Sequence, residues 1–116
     1  MGWRVELDMF SGRQNPQWQL SRGQAAEFES IVKSAQPASG RVALPALGYR
    51  GFVTQGADTS LRVYQGALLK DEPQGDAAQK VGTIETNLDH WLLESGKQLL
   101  EHAVYEAARE EIDRNK

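Results

Sequence analysis

Trp3, Val5, Leu7 and Met9 fall on one side of a two-residue repeat, and Arg4, Glu6, Asp8 and Phe10 fall on the other. One set is uniformly apolar and the other mostly charged, which is the signature of a half-buried strand, and Ser11-Gly12 ends it. Arg13-Gln14-Asn15-Pro16 then reads as a turn, because Pro16 disfavours the helical conformation at Asn15 and Asn15 can bond nearby backbone. Trp18 and Leu20 resume the alternation. At Ser21 the period changes: Ser21 and Gln24 make a capping box, Leu20 and Ala25 a hydrophobic staple, and Ala25, Phe28, Ile31, Val32 and Ala35 a helical stripe that Pro37 stops. Phe28 and Val32 are its main expected core contributions.

Pro37 to Gly48 is too apolar at Val42, Leu44 and Leu47 for a free linker and too interrupted for a regular element, so it is expected to wrap the core. Tyr49 to Gln55 and Leu61 to Gln65 read as a hairpin closed by Gly56 to Ser60, with Ala67 to Leu69 prolonging the second strand past a bulge at Gly66. Asp71 to Lys80 has almost nothing to bury and reads as an exposed loop, followed by a short strand over Val81 to Thr86. Thr86 and Asp89 resemble a second capping box. The helix after them places Leu88, Trp91, Leu92, Leu99, Leu100, Ala103, Val104, Ala107 and Ile112 on one stripe. Unbroken, it would run roughly 40 Å, longer than a domain of this size is wide. Either Ser95-Gly96 breaks it or a partner covers the overhang, and the continued stripe favours a homodimer through the C-terminal helix. The expected fold is α+β: an antiparallel sheet of three to four strands packed against two helices, the C-terminal one long, with residues 1–116 forming a single domain.

The formal charge of −3 argues against nonspecific nucleic-acid binding by overall field. Up to Lys70 eight basic residues outnumber five acidic ones, leaving +3, so the remainder carries −6. That asymmetry would steer a small anionic ligand or favour antiparallel self-association; scattered solvated charges are the simpler account. Cysteine is absent, which removes disulfides, thiolate metal sites and cysteine nucleophiles. With neither an apolar signal core nor a run long enough to span a membrane, the chain is expected in the cytoplasm.

Candidates for chemistry are few. Ser11-Gly12-Arg13-Gln14-Asn15 could form a backbone nest that, with Arg13, holds a carboxylate or phosphate, although it lacks the Gly-Lys-Ser/Thr ending of a triphosphate loop. An ordinary turn with a solvated arginine uses the same residues. Glu6 and Asp8 lie on one side of the strand, roughly 6–7 Å apart, close enough to share a cation or an acid/base task; balance by Arg4, or by Arg62 on a neighbouring strand, explains them equally well. His90 and His102 are about 18 Å apart along a straight helix and cannot share one metal. His90 with Glu94 offers two ligands at most, and helical surface pairing accounts for them. No metal or cofactor is implied. Tyr49, Arg50, Phe52, Arg62 and Tyr64 have the composition of a base-stacking sheet, but half-buried sheet residues look the same, and nucleic acid is the disfavoured partner.

Two segments, E-L-D-x-F-S-G-R-x-N-P-x-W from Glu6 to Trp18 and L-G-Y-R-G-F from Leu47 to Phe52, resemble small bacterial proteins with no assigned activity. Those proteins often have proline after the arginine, where this chain has Gln14, a change that loosens the turn. The resemblance carries over no catalytic residue. The residues themselves support a noncatalytic recognition module for a protein or small anionic ligand. Its contact surface comprises Asp8, Ser11, Arg13, Asn15 and Trp18, together with Tyr49, Arg50 and the segment to Phe52. Arg13 and Arg50 would supply charge-assisted hydrogen bonds and Trp18 apolar area. The alternative is a small hydrolase or lyase with Asp8 as general base, Arg13 as electrostatic stabiliser and His90 assisting.

Overall fold

A computed structural model describes residues 2–9, 14–70 and 77–114. The opening alternation folds as expected into β1 (Arg4–Leu7), which buries Val5 and Leu7. After it come β2 (Gln17–Gln19), α1 (Arg22–Lys33), β3 (Gln36–Pro37) and β4 (Arg41–Ala43). The chain continues through β5 (Phe52–Gln55), β6 (Ser60–Tyr64), β7 (Ala67–Lys70) and β8 (Ala77–Thr83) to α2 (Leu88–Ser95) and α3 (His102–Arg114). The strands form one eight-stranded sheet in the order β2-β1-β5-β6-β7-β8-β3, antiparallel throughout, with β4 also on β8.

The expectation of three to four strands with two helices, the last one long, is therefore corrected to eight strands and three helices with a short terminal helix. Three of the unexpected strands, β2, β3 and β4, are two or three residues long, too short for any period to show in the sequence. β3 and β4 lie end to end along β8. Between Pro37 and Arg41 the chain advances four residues while its partner retreats three, from Gly82 to Gln79. The surplus residue is a bulge, where Gly40 takes φ +102° and its carbonyl accepts Lys80 N at 2.8 Å. β8 starts at Ala77, inside the stretch read as a loop; of that loop, residues 71–76 lie outside the described residues. Gly66 is not a strand bulge. With Gln65 (φ 51°) and Gly66 (φ 77°) both left-handed, the pair forms the two-residue turn of the β6–β7 hairpin.

α1 begins with the expected capping box: Gln24 N donates to Ser21 Oγ at 3.1 Å and Ser21 N to Gln24 Oε1 at 2.9 Å. Its inward residues are Ala25 and Phe28, while Val32 is only partly buried. Phe28 packs edge-on to Trp3 at 5.0 Å and stacks with Trp91 of α2 at 6.2 Å. The helix thus ties the apolar face of β1 to the terminal helices. The two indole N–H groups reach the helix's polar side, Trp3 to Glu29 at 2.9 Å and Trp91 to Glu27 at 2.7 Å.

The break at Ser95-Gly96 occurs. α2 ends there, a 3₁₀ turn spans Lys97–Leu99, and α3 sets off in a new direction. At the break a Cβ on Gly96 would stand 2.4 Å from Trp18 Cε2, so glycine lets the helix end pass over the indole. Trp18 also donates from Nε1 to Ser95 Oγ at 2.9 Å. Of the C-terminal helix, Val104, Ala108 and Ile112 are buried within the chain's own core, while Leu99 and Ala103 of the expected stripe are exposed. At the start of α2 the expected Thr86–Asp89 box is replaced by Asn87 as N-cap, accepting from His90 N at 3.1 Å. Among the described residues no helix is long and apolar enough to cross a membrane.

Candidate recognition site

On the face of β1 turned away from the helices, Glu6 and Asp8 open a polar network that closes the neck of the loop between β1 and β2. The backbone neck is held by Leu7 N donating to Pro16 O at 3.0 Å. Above it Asn15 does what a short amide can do in a turn. Its Oδ1 accepts Met9 N at 3.2 Å, and its Nδ2 donates to Glu6 at 3.0 Å and Asp8 at 3.4 Å. Gln17 Nε2 donates to the second oxygen of Glu6 at 3.2 Å.

Two guanidinium groups hold Asp8 from the other side. Arg62 Nη1 donates to Asp8 Oδ2 at 2.8 Å and Arg50 Nε to the same oxygen at 3.4 Å. Arg62 is only 6% exposed although charged, and it is made tolerable there by Asp8 and by the Arg50 carbonyl, which it reaches at 2.8 Å. Arg50 in turn donates to Pro45 O at 2.9 Å. The backbone repeats the link, with Asp8 N to Gly51 O at 3.0 Å and Arg50 N to Asp8 O at 2.8 Å. Gly51 sits at φ +93°, and a Cβ there would lie 2.3 Å from Val63 O, so this three-strand crossing requires glycine.

The structure thus gathers Asp8, Asn15 and Arg50 into one network, and it adds Glu6, Gln17 and Arg62. Pairing of the β1 acids with Arg62 was one of the readings open in the sequence. Gln17 as the partner of Glu6 was missed, because nothing marks a three-residue strand at that point. Ser11 and Arg13 lie outside the described residues. Trp18 is 4% exposed and spent on the Gly96 contact, so it offers no apolar contact area. Tyr49 and Phe52 are likewise buried, with their ring centroids 5.9 Å apart, and Tyr49 lies 5.8 Å from Tyr64; these rings are core and cannot stack bases. His90 stands on α2, 3.9 Å from Glu94.

A second polar centre lies among the helices. Asp89, 3% exposed, accepts Tyr49 Oη at 2.6 Å, Gln65 N at 2.9 Å and Gly66 N at 2.9 Å. It therefore pins the tight β6–β7 turn to the first turn of α2. Burial pushes the Tyr49 hydroxyl well above its ordinary value, and the neighbouring Asp89 charge pushes the same way, so the phenol stays a donor. Beside it is a cleft of about 310 Å³ bordered by Tyr49, Gln65, Ile84, Asn87 and Asp89. Among the described residues no cluster of three or more histidines or carboxylates is placed to hold a metal ion. The chain matches no family model, no curated protein and no solved structure.

Proposed function

We propose that the chain is a noncatalytic recognition module that contacts its partner at the neck of the β1–β2 loop. Asn15 and Arg50 form the base of that surface, and Arg13 of the same loop is the proposed further contact. The observation that carries this reading is the engagement of Asp8. A general base must offer a lone pair to substrate, whereas this carboxylate already accepts from Arg62, Arg50 and Asn15. Its neighbours act as braces for a displayed loop, and Arg50, partly exposed, keeps donor capacity for a carboxylate or phosphate on the partner. The buried positions of Trp18, Tyr49 and Phe52 narrow the contact surface to its polar members. Nothing in the network favours the hydrolase or lyase alternative.

The test is amide-resolved NMR of the labelled chain during titration with short acidic, neutral and basic peptides. Saturable shifts at Asn15, Gln17 and Arg50 are expected, together with their loss in Arg13→Ala at an unchanged melting temperature. Loss of folding in that variant would make the loop structural instead. Turnover of an ester or phosphoester abolished by Asp8→Asn would replace this reading with the enzyme.

A further inference from the structure

We infer that the outer edge of β2 is a docking edge for an extended, basic peptide segment, which adds to the sheet as a ninth strand. The inference rests on the recognition reading and adds to the anion-accepting Arg50 a separate contact of opposite charge preference on the strand edge. Its starting point is the hydrogen-bond phase of the β1–β2 ladder. Val5 pairs with Trp18, and the flanking bonds run from Leu7 N to Pro16 O and from Leu20 N to Trp3 O. In an antiparallel pair the bonded residues alternate, so Trp18 spends its amide and carbonyl on Val5 while those of Gln17 and Gln19 point away from the sheet. β2 is the terminal strand. Its outward row is one donor and one acceptor from each glutamine, the repeat that an added strand needs.

Beside that edge lies an open trough of about 520 Å³ bordered by Gln14, Asn15, Pro16, Gln17 and Glu101. Glu101 belongs to the connection from the 3₁₀ turn to α3, which thus bounds the far side of the trough. Glu101 is exposed and is the charged residue of the trough lining, with no side-chain bond among the described residues. Glu6 stands one strand further in, held only by amide N–H groups of Asn15 and Gln17 among the described residues. Both charges are negative, which selects lysine or arginine on the incoming segment. Protection of the edge is slight: three residues and the proline before them.

The probe is a fluorescently labelled hexapeptide of alternating valine and lysine, measured by anisotropy against its valine-glutamate counterpart and against a copy N-methylated at alternate amides. The lysine peptide is expected to bind, with the other two weaker by roughly tenfold or more. On the protein, Gln19→Pro removes an outward N–H without touching the β1 ladder and should weaken binding similarly at an unchanged melting temperature. Glu101→Gln should weaken it several-fold and flatten its salt dependence. Equal binding of the lysine and glutamate peptides overturns the inference. So does full affinity of the N-methylated copy, which needs no change to the protein, or mass measurement showing β2 occupied by a second copy. Shifts at Asn15 and Arg50 that survive Gln19→Pro would strike the docking edge alone and leave the recognition module standing. No shift anywhere on this polar face would remove both.

Discussion

Asp89 shows how one side chain can decide a connection. Its carboxylate meets the buried phenol of Tyr49 and the two amides of a left-handed turn in which Gln65 is exposed and Gly66 half-buried. Asp89→Ala should therefore cost roughly 2–4 kcal/mol in chemical denaturation, since it strands several donors at once; a loss under 1 kcal/mol would show that water takes its place. Tyr49 adds a pH signature. Its folded-state titration lies above the ordinary 10 because of burial first and Asp89 second. The bond's contribution is accordingly complete below the unfolded value and drains away as pH rises through and beyond about 10. Urea midpoints measured from pH 7 to 11 should fall more steeply above pH 10 for the parent than for Tyr49→Phe, and parallel curves would refute the assignment. Sequence inspection had placed Asp89 in a capping box, one residue pattern away from the truth. The box needs a side chain that faces back along its own helix, and the left-handed Gln65-Gly66 pair that turns Asp89 inward is far away in the chain.

Among the elements, those with a long enough period were legible. β1 and α1 carry their fold in adjacent residues: alternation in one, a reciprocal cap and an apolar stripe in the other. β2, β3 and β4 do not, because short edge strands are defined by their neighbours' hydrogen bonds and not by their own composition. The terminal helix is intermediate. Ser95-Gly96 marked a breakable point, but the neighbour that calls for glycine there is Trp18, a residue 78 positions earlier in the chain. Gly96→Ala should consequently destabilise by about 1–3 kcal/mol despite alanine's better helix propensity, through overpacking against the indole. Trp18→Phe in the same chain should recover part of that loss. A Gly96→Ala variant as stable as the parent would mean that the indole moves aside for the methyl group.

Across the whole molecule, α1 carries the chain from β2 at one end of the sheet to β3 at the other, so the sheet cannot be completed by local hairpins alone. The helices then cover the face that holds Val5, Leu7, Phe52 and Val63, and the opposite face of β1 is left for Glu6, Asp8 and their partners. This division is why the site candidates divided as they did: among the described residues of the segment Glu6 to Trp18, Leu7 and Trp18 go to the core and Glu6, Asp8 and Asn15 to the network. A sequence reading that grouped them by proximity along the chain could not separate them without knowing the strand register. Asp8 clamps β1 to β5 and β6 through Arg50, Arg62 and the Gly51 backbone. A double-mutant cycle in urea tests this clamp most directly, using Asp8→Leu, Arg62→Met and the pair. The account predicts that each single change costs about 3 kcal/mol by leaving the other group uncompensated, and that the double variant recovers much of this. Additive losses, or an Asp8→Leu chain that unfolds at the parent's midpoint, would contradict it.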